Sequence, residues 1–187
     1  MARAAIQQHA MRLFLKRGYA AVTADEIADA ANVSRSTFFR YFPTKDDVVV
    51  RDAFDELFLD AVKAQPADLS PAEAVRRTLH QFMDSLTPEI LEMERRRLAL
   101  ILATPELRQR MLGMYPDTLR RITAMLAARS RRGNAQELRL QAGALLGVGL
   151  AALVGAQDED ADYFALFEEG LARLDASEGR SRKKRQH

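Results

Sequence analysis

Residues Thr23 to Lys45 read TADEIADAANVSRSTFFRYFPTK. Thr23 followed three residues on by Glu26 is a capping box, in which the threonine oxygen takes a free helix N–H and the glutamate reaches back. A short helix therefore begins at Ala24 and runs to about Ala31. Asn32-Val33-Ser34 is a tight turn, and Ser34 can cap a second short helix over about 35–41 that ends before Pro43. On that second helix Phe38 and Phe42, four residues apart, face the first helix and leave Arg35, Ser36, Thr37 and Arg40 outward. An apolar pair that locks two short helices at a fixed angle is what a helix-turn-helix needs. The outward Arg can bond guanine in a major groove, and Ser or Thr is permissive there. Thr23 and Lys45, each at a helix start, are placed to hold phosphates.

Outward from this segment the chain of 187 residues reads helical almost throughout, with apolar positions at three- and four-residue spacing and no sustained alternation. A stripe of Ile6, Ala10, Leu13 and Phe14 predicts a first helix over about 3–17, ended by Gly18. A long fourth helix starts at Thr44 or Lys45 and reaches about Ala64. Ser70-Pro71, Thr87-Pro88 and Thr104-Pro105 each pair a cap with a proline at the first helical position. Pro116 is expected to kink or split the stretch that follows near Tyr115, and Arg132-Gly133-Asn134 to end it. An eighth helix over about 135–156 and a ninth, opening on the acidic Asp158–Asp162 and running to about Asp175, complete an all-α chain of about nine helices.

The formal net charge is only +2, but it is unevenly placed. Residues 1–50 hold seven Lys/Arg against five Asp/Glu, residues 51–176 sixteen against twenty, and residues 177–187 five against one. The head is mildly basic, the body acidic and the tail basic. That tail has no apolar side chain to bury and is expected to be disordered. The division expected is a head over 1–47, a body over 48–176 and the tail over 177–187.

The chain has no Cys, which excludes a disulfide scaffold, Cys-ligated zinc and a Cys nucleophile. His9, His80 and His187 stand on separate segments, and His80 with Asp84 reads as a surface pair. There is no GxGxxG, P-loop or HExxH. No enzyme, cofactor or metal site is expected. The best apolar run, Ala142 to Gln157, falls short of the about 18 residues that suggest a membrane span, and the first residues lack a secretory core, so a cytoplasmic protein is expected.

Gly18-Tyr19-Ala20-Ala21-Val22-Thr23, Ile27-Ala28, Ala31-Asn32-Val33-Ser34 and Phe38-Phe39-Arg40-Tyr41-Phe42-Pro43-Thr44-Lys45 together resemble the DNA-binding domain of the TetR family of bacterial repressors, over about residues 5–50. The resemblance implies that Thr23, Tyr41 and Lys45 contact phosphates. It also implies that Arg35, Ser36, Thr37 and Arg40 approach base edges, with Ser34 capping the recognition helix. Family members usually carry Tyr where Phe39 stands. Phe39 has no hydroxyl for the DNA backbone, and an apolar contact, to a thymine methyl or to a sugar, is expected instead.

The resemblance further implies an effector pocket in the body and pairing of the last two helices across a two-fold axis. Phe54, Phe58, Phe82, Leu86, Met93, Leu100, Ile101, Met111, Met114, Tyr115, Leu119 and Ile122 are the apolar pocket candidates. Leu145, Val148, Gly149, Ala152, Leu153, Phe164, Phe167 and Leu171 are the candidates for the homodimer interface, on a band wider than one protomer needs. Glu94 to Arg108 is similar to the C-terminal domain of the mycofactocin-system branch of these regulators, which is associated with acyl-CoA-like ligands. There the run Arg95-Arg96-Arg97 could hold an anionic head group above an apolar cavity, with Arg97 placed at the pocket, or could pair with nearby glutamates on a solvated face.

The function expected is a ligand-responsive repressor that binds a palindromic operator as a dimer and is released by a hydrophobic small molecule. Two alternatives stay open: a helical small-molecule carrier without DNA affinity, and an architectural DNA-binder indifferent to ligands.

Overall fold

The computed structural model describes residues 2–51, 55–130, 134–157 and 161–184, without the side chains of 55, 56 and 178–184. Phe54, Arg132-Gly133 and Asp158–Asp160, named above, lie outside the described residues. Among those described there are eleven helices and no strand. The caps read from sequence hold at Thr23, Ser34 and Ser70, each accepting from the backbone N–H three residues on. Thr104 starts a helix without a side-chain cap bond.

The count exceeds nine because two expected helices are each divided. The expected fourth helix is α4 (Lys45–Val50) and α5 (Asp55–Ala64), with Arg51 extended at the end of α4. The stretch expected to break near Tyr115 separates into α8 (Pro105–Gly113) and α9 (Tyr115–Arg129). Pro116 stands in the first turn of α9, where its missing N–H has no intrahelical partner to lose.

Two compact units make up the chain. The first contains α1 (Ala2–Arg17), α2 (Ala24–Ala30), α3 (Arg35–Tyr41), α4, α7 (Pro88–Ala103) and α8. Its core joins Ile6, Ala10 and Phe14 of α1 to Ile27, Phe38, Phe42, Val48 and Val49, with Ile101 of α7 and Leu107 of α8. Gly18, at φ +84°, closes α1 in the left-handed region that glycine tolerates. The turn after α2 is a Schellman motif: the Val33 N–H bonds the Ala28 carbonyl, the Asn32 N–H bonds that of Asp29, and Asn32 takes the left-handed residue at φ 52°.

The second unit contains α5, α6 (Pro71–Ser85), α9, α10 (Ala135–Gly155) and α11 (Tyr163–Lys184). Val62, Ala72, Val75, Met125, Leu126, Leu138, Ala142, Leu145 and Leu171 form its core. Arg129 fastens the segment after α5, donating to the carbonyls of Val62, Gln65 and Pro66 at 2.7–2.9 Å. His80 pairs with Glu168 of α11 at 2.7 Å and not with Asp84.

Three expectations change here. The helix α11 runs on to Lys184, past the boundary at 176, because Ser177–Lys184 consists mostly of residues that continue a helix and contains no proline. The helix α10 is long and apolar enough, by length and composition, to cross a membrane, because it begins at Ala135 and takes in Leu138 and Leu140. Its buried Leu138, Ala142 and Leu145 are part of the core of the second unit. Of the candidate dimer residues, Leu145, Ala152, Leu153 and Leu171 are buried by the chain itself, since α10 and α11 pack so closely that a Cβ on Gly170 would lie 2.5 Å from Val148.

Candidate nucleic-acid interface

The locking pair behaves as its spacing requires. Phe38 and Phe42 are fully buried, with ring centroids 6.0 Å apart. Around them α3 turns Arg35, Ser36, Phe39, Arg40 and Tyr41 to solvent, with Thr37 half-buried. Ser34 Oγ accepts from the Thr37 N–H at 3.2 Å and meets the hydroxyls of Ser36 and Thr37 at 2.9 Å. The hydroxyls at the start of α3 thus form one network, available to an acceptor or donor brought against it.

Two aromatic residues stay exposed on this face, and both carry an arginine. The Arg35 guanidinium lies 5.4 Å from the centroid of Phe39, and that of Arg40 5.2 Å from the centroid of Tyr41. A guanidinium lying over a ring presents its N–H edge in the plane, the geometry that a base edge or phosphate needs, and on Arg35 one of those groups already donates to Asp25. Phe39 rests edge-on against buried Phe38, centroids 5.2 Å apart. Its ring is therefore a platform, which a phenyl group serves without a hydroxyl.

Thr23 and Lys45, expected to contact phosphates, also hold partners within the chain. The Thr23 hydroxyl accepts from the Glu26 N–H at 3.2 Å and donates to the Glu26 carboxylate at 3.0 Å. The Thr23 N–H donates to the same carboxylate at 2.8 Å. Arg17 binds the other oxygen of Glu26 at 2.8 Å. The Thr23 backbone contact and Arg17 hold the Glu26 carboxyl down at about 2, against an ordinary 4.5. Lys45 Nζ donates to the carbonyls of Tyr19 and Val22 at 3.0 and 3.1 Å and lies 4.0 Å from the Tyr19 ring centre. Its first role is to brace the loop between α1 and α2 against α4. Burial and a hydrogen bond to Asp46 raise the Tyr19 hydroxyl well above its ordinary value, so it stays a donor.

Behind this surface lies a residue that reading the sequence missed. Asp47 is fully buried and accepts from Thr44, Arg51 and Arg110, the last at 2.8 and 3.1 Å. Burial opposes its ionisation, but these hydrogen bonds outweigh burial and hold the carboxyl below the usual range. The capping pattern Thr44-x-x-Asp47 was the available signal. Arg97 is also committed locally: it donates to the Val49 carbonyl at 2.9 Å and to Glu94 at 2.7 Å, while Arg96 pairs with Glu92. Arg96 and Arg97 are thus paired with nearby glutamates, and Arg97 is a brace on α4.

The apolar pocket candidates divide between the units. Met93, Leu100, Ile101, Met111 and Met114 pack on the core of the first. Phe58, Leu119 and Ile122 line the core of the second, where Phe58 meets Phe82 edge-on at 5.5 Å. Leu86 and Tyr115 are half-buried, and burial raises the Tyr115 hydroxyl.

A buried aromatic lock, a left-handed turn and an exposed short helix carrying Arg and hydroxyl groups define a helix-turn-helix protein of the DNA-binding class. Residues 6–51 match the model of the bacterial regulatory proteins of the tetR family, and residues 69–178 match the MftR C-terminal domain. The chain belongs to the TetR family of bacterial transcriptional regulators, with a C-terminal domain of the MftR type. It is 33% identical over 120 residues to the transcriptional regulator TcmR of Streptomyces glaucescens, covering 63% of this chain and 52% of that one, so it spans about half the length of that relative. It is 31% identical over 154 residues to the mycofactocin biosynthesis transcriptional regulator MftR of Mycobacterium tuberculosis, covering 79% of this chain and 75% of the other. Among solved structures, the repressor FadR of Thermus thermophilus in complex with lauroyl-CoA superposes with a TM-score of 0.54 at 24% identity, covering 92% of each chain, and shows the shared fold.

Proposed function

We propose that the chain is a ligand-responsive repressor that binds a palindromic operator as a homodimer and leaves it when a hydrophobic, acyl-CoA-like small molecule binds the body. The observation that carries this reading is the exposed face of α3, where Arg35 and Arg40 lie against Phe39 and Tyr41 while Phe38 and Phe42 fix the helix from beneath. A regulator of this kind acts at the chromosome, in the cytoplasm, and needs no catalytic group.

Dimerisation is supported by a second face of α10. Leu140, Gly143, Gly147, Ala151 and Val154 fall three or four residues apart and are all exposed. Among the described residues, nothing beyond the helix's own backbone lies within 4 Å of a Cβ on Gly143 or Gly147. Small residues of this spacing admit a second helix at close range, and two recognition helices related by a two-fold axis read successive major grooves. For the effector, support comes from the C-terminal domain type, from the lauroyl-CoA carried by FadR, and from the half-buried Phe58, Phe82, Leu119 and Ile122. Release requires the ligand to prefer the state that does not bind DNA.

Selection of tight binders from a pool of random duplexes tests the reading. An enriched inverted repeat, protected over two half-sites and released by lauroyl-CoA, is the expected result. No enrichment would contradict DNA reading, and an enriched repeat indifferent to lauroyl-CoA would contradict the effector class.

A further inference from the structure

Asp25 stands in the first turn of α2 and Arg35 opens α3. Arg35 Nη1 donates to Asp25 Oδ2, and the same guanidinium lies over the Phe39 ring. Phe39 in turn is set edge-on against Phe38, which is wholly buried. A chain of contacts therefore runs from the core to the tip of Arg35: Phe38 places Phe39, Phe39 supports one face of the guanidinium, and Asp25 takes one of its nitrogens. Both charged side chains are largely exposed, at 69% and 54%, so the pair adds little to stability. Its effect is on where Arg35 points and on what it can bind.

We propose that Asp25 is a specificity-determining residue for DNA, a positioning residue that acts through Arg35; this rests on the helix-turn-helix reading above. A free arginine at the start of a recognition helix would bind any phosphate within reach, and such contacts supply non-specific affinity. A guanidinium already paired with a carboxylate gains less from a phosphate, because its charge is partly met and the carboxylate repels the phosphate. A base edge is different. Guanine O6 and N7 are neutral acceptors that two N–H groups of the fork can meet while Asp25 keeps its own. Asp25 thus lowers the affinity for arbitrary duplex more than that for the correct one. The phenyl ring of Phe39 fits this role, since it supports the guanidinium and offers no hydroxyl to the DNA backbone.

The test uses the full chain, a duplex enriched from the random pool and a scrambled duplex of the same length and composition, titrated over a range of KCl concentrations. For Asp25→Asn, binding to the scrambled duplex should tighten about 3–10-fold and its salt slope steepen by about one unit, with little change on the enriched duplex. In the Arg35→Ala background the same Asp25→Asn change should leave the discrimination ratio where it was. A ratio unmoved by Asp25→Asn in the parent, or moved equally with and without Arg35, overturns the proposal, the latter because it would make Asp25 a general charge. Wild-type protein that discriminates while Asp25→Asn changes nothing defeats only this inference. Wild-type protein that fails to discriminate defeats the helix-turn-helix reading together with it.

Discussion

Arg110 of α8 reaches the buried carboxylate of Asp47 in α4, sixty-three residues away in sequence, with its Nε at 3.1 Å and its Nη2 at 2.8 Å from one oxygen. Asp47 also caps its own helix through Thr44 and holds Arg51. The residue that follows the recognition helix into the body is therefore tied at once to its own helix start and to α8. With Arg97 on the Val49 carbonyl, α4 is held by an arginine from each of α7 and α8.

Removing the acid should hurt more than removing either base. Asp47→Asn leaves the half-exposed guanidinium groups of Arg51 and Arg110 facing a buried neutral amide and should cost about 2–3 kcal/mol, the upper part of the range for hydrogen bonds to a charged group. Arg110→Ala leaves Asp47 still bonded to Arg51 and Thr44 and should cost about 1–2 kcal/mol. Thermal melts followed by circular dichroism compare the two variants. An Arg110→Ala protein as unstable as Asp47→Asn would show that Asp47 is not the hub.

The capping box at Thr23 gives a pH dependence of defined sign. The Glu26 carboxyl is held at about 2 in the folded protein, below its ordinary 4.5. Its contribution is therefore complete above about pH 5 and is lost as pH falls from there toward 2. Asp47, also depressed, acts in the same direction. Glu26→Gln keeps a neutral acceptor but no titratable group. The melting temperature of the wild-type protein should exceed that of Glu26→Gln at neutral pH, and the gap should close in acid. A gap constant down to pH 3 would contradict the assignment.

What could be read from the residues alone follows the range of the interactions. Thr23/Glu26, Ser34, Ser70-Pro71, the Phe38/Phe42 lock and the break at Pro116 are local, set within four or five residues, and the structure has them all. Arg110, which meets Asp47, and the Val49 carbonyl, which meets Arg97, are distant in sequence, and no periodicity announces that an acid in a first turn will be buried beneath an arginine of α8. The pairs Arg96–Glu92 and Arg97–Glu94 are local to α7 and were one of the two readings open for the arginine run, whereas the Val49 carbonyl meets Arg97 only once α7 is folded against α4. The band on α10 was legible as wider than one protomer needs. Which side serves the chain's own core is decided by α11, whose Gly170 lies against Val148, and this leaves the Leu140–Val154 side open.

That division predicts opposite behaviour for two glycines. A methyl on Gly170 would lie 2.5 Å from Val148 Cγ1, so Gly170→Ala should force α10 and α11 apart and cost about 1–3 kcal/mol. Gly147 faces open space, so Gly147→Glu should leave the helical signal and the fold intact while sedimentation shows monomer in place of dimer. A Gly147→Glu protein that remains dimeric would move the interface off this face.

Lys45 separates a structural from a phosphate role. With Nζ on the Tyr19 and Val22 carbonyls, Lys45→Ala should lower stability by about 1.5–3 kcal/mol, the range for hydrogen bonds to a charged group. Its salt slope for duplex binding should stay close to wild type. A loss of about one unit of slope would instead place a phosphate on this ammonium.

The most direct measurement of the central claim, that the outer face of α3 reads DNA, is a fluorescence anisotropy titration of wild type and Arg40→Ala on the enriched and scrambled duplexes. Arg40 lies on the exposed face against Tyr41, away from the Phe38/Phe42 lock, so the variant should fold as wild type does. The account predicts a loss of about 1–3 kcal/mol on the enriched duplex and a smaller loss on the scrambled one, so that discrimination falls. Equal affinity of the two proteins for the enriched duplex would contradict it.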